Sequence, residues 1–463
     1  MTAHFSLQEI VQATGGVLRQ GRASDRYVGL TTDSRTAQTG QIFLPLPGER
    51  FDGHDFIPGA LRRGVGAVIA SHTWANRQRH PLPPTVGLVT VTDTLQALGD
   101  LAACWRRRFA GPLVAITGSC GKTTTKEMIA HVLGSRYRVL KNEMNLNNLI
   151  GMPQTLLGLS PEYDVAVVEC GMNRFGEIRR LAQIAQPDIA VLTNVYPAHL
   201  EGVGSLAGVA QAKTEMLEGL KPGGRLIYNY DDPQLRQAVR RYTGPTMGFG
   251  FDPAAVVRVL NVATDGLSVQ KITMGYRDQT WDVQLQLPGP HQVANALAAT
   301  AVGLSLGFQP GETAAALATF RSLDKRSQVE EHACGLVIYN DCYNANPGSM
   351  SMALKTLAAL PRQGRILAAL GDMLELGAAT PQAHREMGAL AAQLGVDLLV
   401  LYGNYKTFIR EGALAAGLPP HRLIMVSSHA EGARRIKEFC QPGDVLLVKG
   451  SRGARMEKLL HCL

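Results

Sequence analysis

The sequence predicts an α/β protein whose parallel sheets fall into more than one domain. Three observations carry this. First, 463 residues exceed what one hydrophobic core organises, so two or three domains are expected. Second, short apolar runs alternate with helical patterns, the arrangement that builds parallel sheets. Third, two such series occur in succession, one opening at Leu113 and the other at Leu336, separated by the polar stretch Ser322-Leu323-Asp324-Lys325-Arg326.

The first series opens with Leu113 to Thr117, an apolar run containing β-branched residues that reads as a buried strand. It breaks at Gly118 and Gly121. Met128, Ile129, Val132 and Leu133 then recur at helical spacing. A strand, a glycine turn and a helix opening on Lys122-Thr123-Thr124 make a phosphate cradle. The amides of Gly118, Ser119, Cys120 and Gly121 would face the anion, Lys122 adds charge, and the hydroxyl of Thr123 suits Mg²⁺. Ile116 stands where the standard Walker pattern has its first glycine. ATP is the expected nucleotide.

Two further strands end in functional types. Tyr163 to Val168 leads into Glu169; Asp188 to Leu192 leads into Thr193-Asn194 and then His199. Ligands of parallel sheets bind at the carboxyl ends of the strands, so Lys122, Glu169 and His199 are expected on one rim. A carboxylate and an imidazole beside a triphosphate cradle suit Mg²⁺ or its water shell. Between them lies the amide-rich Asn142 to Asn148, where Asn145, Asn147 and Asn148 are candidates to hydrogen-bond substrate or to satisfy the loop itself. Gln211-Ala212-Lys213-Thr214-Glu215 reads by itself as an exposed helical turn. The stretch Pro288-Gly289-Pro290-His291-Gln292-Val293-Ala294-Asn295 opens an alanine-rich helix, with Asn295 in its first turn.

The second series has strands ending at Asn340-Asp341, Gly371-Asp372, Gly403 and Lys449-Gly450. Asn346-Pro347 is a good N-cap and first-turn pair. Its strand-end rim carries Asp341, Asp372, Lys449 and Arg452, without a nucleophile or metal constellation. A binding lid is expected. Upstream of both series, about 90 residues mix short helices and strands. They carry Asp33-Ser34-Arg35, Gly40 to Gly48 and Asp52-Gly53-His54, turns that read as ordinary turn chemistry or as an anion site.

Composition narrows the function classes. The formal charge is +8, but Lys and Arg are scattered. The densest run, Arg106-Arg107-Arg108, ends a helical pattern and reads as a solvated helix end, so no nucleic-acid partner is expected. Seven cysteines without a Cys-x-x-Cys pair form neither a disulfide framework nor a zinc site. With no secretory core at the start and no apolar run of membrane length, a cytoplasmic protein is expected.

These motifs resemble the Mur ligases, ATP-dependent amide-forming enzymes of peptidoglycan synthesis, over essentially the whole chain. AITGSCGKTTTK resembles their phosphate loop. VVECGMNRFGEI resembles the segment of the Mg²⁺-binding glutamate, here Glu169. TNVYPAHLEGVGSLAGVAQAKTEM resembles the segment with a second metal ligand, His199, and a lysine that becomes carbamylated, Lys213. PHQVANALAA resembles the segment whose asparagine, Asn295, lies by adenine.

The resemblance implies a small α/β domain for the UDP-linked substrate (1–92), a central P-loop ATPase-like domain (93–323) and a Rossmann-like C-terminal domain (324–463). DSR…GQIFLPLPG resembles the UDP-binding pattern and implies Ser34, Arg35 and Gly48. Lys325-Arg326 stands at the family's Gly-Arg junction and implies Arg326 as a nucleotide contact, with Asp341 on the ribose. NDCYNANPGSM, GDMLELG followed by His384, and LVKGSRGARMEKL are similar to the branch that adds D-alanyl-D-alanine. They imply Tyr343, Asn344 and Asn346 on substrate.

The expected substrates are therefore ATP, UDP-N-acetylmuramoyl-tripeptide and D-alanyl-D-alanine, acted on by a monomer through an acyl phosphate. A sister ligase of the Mur or folylpolyglutamate type, adding a different amino acid, is the alternative. A nucleotide-binding regulator with a decayed site is the rival from another class.

Overall fold

The computed structural model describes residues 3–48, 50–77, 81–332, 335–360 and 362–463. Three large sheets follow one another along the chain. The N-terminal sheet has five strands, ordered Val17–Gln20, Gly87–Val91, Ala67–Ser71, Ile42–Phe43 and Leu30–Thr31. Only its first pair is antiparallel.

The central sheet has nine strands. From one edge they run Val139–Lys141, Val165–Glu169, Leu113–Thr117, Ile189–Leu192, Arg225–Asn229, Thr246–Gly250 and Val257–Asp265, all parallel. Val269–Tyr276 and Gln279–Leu285 extend it as an antiparallel meander. Leu113–Thr117 lies between Val165–Glu169 and Ile189–Leu192, with Glu169 paired to Ile116 and Leu192 to Thr117. This register brings the phosphate turn, Glu169 and the segment leading to His199 to one strand-end rim, as expected. These strands are buried on both faces and therefore read as unbroken apolar runs.

The third sheet runs Gln328–Glu331, Val337–Asn340, Val445–Lys449, Ile366–Leu370, Leu398–Leu401 and Leu423–Met425, antiparallel only at the first strand. Its helices cover both faces, where separate apolar clusters form. Among the described residues, no helix is long and apolar enough to cross a membrane.

Arg106 is not solvated: it is fully buried, donates to Ala185 O (3.0 Å), and pairs with Asp188 Oδ2 at 3.0 Å. Burial pulls its guanidinium below the usual arginine range, against the pull of Asp188. Arg108, at the same helix end, pairs with Glu9 of the N-terminal domain (2.8 Å). Sequence shows the charge of a helix end, not which element closes over it. Asp188→Ala should cost about 3 kcal/mol in urea unfolding, because Arg106 would be left buried without its partner.

Candidate active site

The turn after Leu113–Thr117 is built on two glycines that admit no side chain. A β-carbon on Gly118 would sit 1.9 Å from Thr193 Oγ1. Gly121 has φ +77° and precedes the helix Lys122–Leu133; a β-carbon there would lie 2.7 Å from Asn295 Oδ1. Asn194 Oδ1 accepts from Cys120 N (2.8 Å), and Thr193 Oγ1 donates to Cys120 O (2.8 Å). Ser119 Oγ donates to Tyr196 O and accepts from Tyr196 N. The segment after the neighbouring strand thus fixes the loop's shape. Gly121→Ala should weaken ADP binding about tenfold in calorimetry, since left-handed strain and the clash fall on one residue.

Lys122 Nζ donates to Gly118 O (2.7 Å) and Ser119 O (3.3 Å), so the ammonium lies over the loop. Thr123 Oγ1 donates to Glu169 Oε2 and Asn147 Nδ2 to Glu169 Oε1, both at 2.7 Å. The Glu169 backbone is clamped by Asn142, which accepts from its N–H (2.9 Å) and donates to its carbonyl (3.1 Å). Asn142 is itself fully buried, and its carbonyl accepts from the buried Lys126. Neither stood out in the sequence as more than part of a polar run. Their role comes from burial beside Glu169.

Lys213 overturns its reading as an exposed turn. It lies in Leu206–Thr214, fully buried, and its Nζ has no hydrogen-bond partner. Burial, reinforced by the nearby charge of Lys122, drives its ammonium well below the ordinary lysine range. An unpartnered buried amine is costly to keep charged. The expectation failed because the helix packs through its Val209 and Ala212 face, which local polarity conceals.

Asn295 falls in the second turn of Pro290–Ser305 rather than the first, because the helix starts at Pro290. It is buried, accepts from Thr125 Oγ1 (3.0 Å) and donates to Gln292 Oε1 (3.0 Å). His291 alongside is half-buried, and desolvation pushes its imidazole down to about 4, so it is neutral near pH 7.

The C-terminal domain closes the cleft from the other side. Asn346 caps the helix Pro347–Ala359 and meets the phosphate loop: its Oδ1 accepts from Cys120 Sγ at 3.1 Å, and its Nδ2 reaches Ser119 O at 3.5 Å. Asp341 accepts from Ser327 N (3.0 Å) and pairs with Lys449, whose Nζ also donates to Asn344 O (3.0 Å). Arg326 stacks on the Tyr343 ring, 4.0 Å from its centroid, with Arg452 at 5.9 Å. Lys325 adopts φ +60°, so the junction keeps a left-handed turn without glycine.

Ser119 to Thr124 and Asn145, Asn147, Glu169, His199, Asn295, Arg326, Asp341, Tyr343, Asn344 and Asn346 line this one cleft. Asn148 does not: its Oδ1 accepts from Ile150 N (3.1 Å) and Gly151 N (2.9 Å), just ahead of the helix Gly151–Leu156. Ser34, Arg35 and Gly48 belong to turns of the N-terminal sheet, and exposed Arg35 pairs with Asp33. Gln154 Nε2 donates to Thr32 Oγ1 (2.7 Å), joining that turn to the helix after the amide loop. His54 is structural: its Nε2 accepts from Ser71 N, and its Nδ1 faces Asp52 at 2.6 Å.

Three family models match successive parts of the chain: the Mur ligase family catalytic domain over residues 26–106, the Mur ligase middle domain over 116–303, and the Mur ligase glutamate ligase domain over 325–452. The UDP-N-acetylmuramoyl-tripeptide–D-alanyl-D-alanine ligase of Bacillus subtilis is 35% identical over 99% of this chain and 98% of its own. The chain belongs to the Mur ligase family. A MurF structure from Acinetobacter baumannii superposes with a TM-score of 0.88 at 30% identity, covering 99% of this chain and 98% of that one. The Thermotoga maritima MurF ligase, solved in complex with ADP, gives 0.84 at 29% identity over 94% and 96%.

The Mur ligase fold therefore spans all three sheets. The cleft between the second and third is where its phosphate loop lies.

Proposed function

We propose that this Mur ligase is an ATP-dependent amide ligase that joins D-alanyl-D-alanine to UDP-N-acetylmuramoyl-tripeptide. The observation that carries the reading is the convergence of the phosphate loop, the Thr123–Glu169 pair and the Asp341–Asn346 segment on one cleft. Full-length similarity to ligases of that name supports it.

The division of labour follows the three segments 1–92, 93–323 and 324–463. The turns of Ser34, Arg35 and Gly48 take the uridine diphosphate end. The amide loop, through Asn145 and Asn147, guides the tripeptide toward the phosphate loop. Asn295 lies by adenine, Asp341 shares its carboxylate with the ribose, and Arg326 holds the nucleotide from the tyrosine stack. Tyr343, Asn344 and Asn346 receive the dipeptide. All of these come from one chain, in keeping with a monomer, and a cytoplasmic setting suits substrates carried on nucleotides.

The residues present fit Mg²⁺. Among the described residues no group of three or more His, Cys, Asp or Glu converges as a metal site. Mg²⁺ is nevertheless commonly held by one or two carboxylates together with substrate phosphates. Thr123 and Glu169 offer a hydroxyl and a carboxylate at the phosphate loop, with His199 on the same cleft. Lys213, as a carbamate, would add a second anion where its bare amine has no partner. Mg²⁺ held there would neutralise phosphate charge.

In the first step, a carboxylate oxygen of the tripeptide forms a bond to the γ-phosphorus as the bond to ADP breaks. Lys122 and the loop amides stabilise charge on the transferring oxygens. The dipeptide amine then bonds to the acyl carbon, loses a proton, and phosphate departs with the acyl C–O electron pair. Enclosure by the C-terminal domain keeps water from the acyl phosphate.

The test is a ligation assay following ADP and pentapeptide together, with tripeptides ending in lysine or diaminopimelate. D-alanyl-D-alanine should give one pentapeptide per ADP. Single amino acids coupling in its place would overturn the reading.

A further inference from the structure

Eight described non-glycine residues have left-handed backbone, and two of them touch across the junction of the central and C-terminal domains. His199 has φ +53° and Glu375 has φ +64°. His199 Nδ1 lies 2.9 Å from Glu375 Oε2. Strained positions of this kind persist where surrounding structure over-determines them, and they mark functional contacts. Glycine would relieve either one, but only a side chain makes the contact.

The turn that presents Glu375 is anchored from behind. Asp372 accepts from Asn404 N (2.8 Å) and Tyr405 N (2.9 Å). Met373 N donates to Nε2 of the fully buried His384, whose Nδ1 faces Thr380 O at 2.7 Å. Leu376 is buried, and a β-carbon on Gly377 would come within 3.6 Å of Glu201 Cβ. Glu375 thus stands on a rigid base facing the helix that His199 opens.

We propose that Glu375 is a positioning residue that couples closure of the C-terminal domain to the orientation of the His199 imidazole. Its carboxylate takes the Nδ1 side and leaves Nε2 as the edge for the cleft. When the domains part, the imidazole loses this restraint, so the cleft is completed only on closure. The inference rests on the ligase reading only for the task of His199; the contact itself does not.

The test compares the full chain with Glu375→Gly, His199→Ala and the double variant. Glycine keeps the left-handed turn and removes the carboxylate. Single-molecule energy transfer, with dyes on the central and C-terminal domains, reads the closed-to-open ratio in chelator without nucleotide.

Glu375→Gly should lower that ratio about fivefold, the upper range for an exposed side-chain pair, with no fall in thermal midpoint. His199→Ala should act similarly, and the double variant should add little. With substrates present, Glu375→Gly should lower kcat more than it raises the KM for ATP, and Glu375→Asp should recover part of the loss. An unchanged ratio in Glu375→Gly, or additive effects in the double variant, would overturn the coupling. If wild-type protein couples closure in this way but does not ligate D-alanyl-D-alanine, the ligase reading fails and the coupling stands.

Discussion

Lys122→Ala will lower ligation by about a hundredfold to a thousandfold while leaving the fold intact. The ammonium bonds to the carbonyls of Gly118 and Ser119 and has no carboxylate partner among the described residues, so its removal breaks no ion pair. What is lost is charge placed where the γ-phosphoryl transfers, and preorganised charge of this kind is worth roughly 3–4 kcal/mol in a water-poor cleft. ADP affinity should fall far less than kcat, because the loop amides remain. Coupled ADP and pentapeptide measurement, beside a thermal melt, checks this. A variant retaining most of its turnover would remove Lys122 from the chemistry and favour a regulatory nucleotide site.

The second large effect concerns Lys213. Lys213→Ala should reduce turnover at least about a hundredfold, by removing the carbamate proposed to help hold Mg²⁺ at the phosphate loop. Protein stripped of carbon dioxide should lose activity and regain it with bicarbonate, and labelled bicarbonate should give a carbamate signal in carbon NMR. The depressed ammonium makes this chemistry accessible, since the neutral amine is the form that adds carbon dioxide. The sign for stability follows from the same shift. Between its lowered folded value and the ordinary 10.5, the unfolded chain holds the extra proton, so the uncarbamylated protein gains stability as pH rises across that interval. Lys213→Met, in buffer free of carbon dioxide, should therefore be about 1–3 kcal/mol more stable than wild type near pH 7 in urea. No response to bicarbonate would leave Lys213 as a buried amine without a catalytic task.

Much of the site is legible in the chain because its signals are local. The strand–glycine–helix order of Leu113 to Leu133 fixes a phosphate loop through backbone geometry alone. Glu169 follows its strand directly, so sheet register delivers it to the same rim. Lys213 shows the opposite case. Its neighbours Gln211, Thr214 and Glu215 look solvated, and burial depends on the face that a distant strand order selects. Arg106 failed for the same reason: Asp188 is 82 residues away, and only packing brings the pair together. Asn148 reads in the sequence like Asn145 and Asn147, but its Oδ1 accepts from the backbone of Ile150 and Gly151 and it does not line the cleft. His384 and Asp372, marked by their motifs, brace the loop that carries Glu375.

By itself, the sequence determined the parallel α/β architecture, the phosphate loop and, through quoted motifs, the family resemblance. These rest on periodicity, on glycines that tolerate left-handed backbone, and on short spacings. Only the tertiary structure decided that Lys213 is an unpartnered buried amine, that Asn346 reaches the phosphate loop, and that Glu375 touches His199. Each of these joins residues far apart in the chain, where desolvation and contact depend on how domains meet.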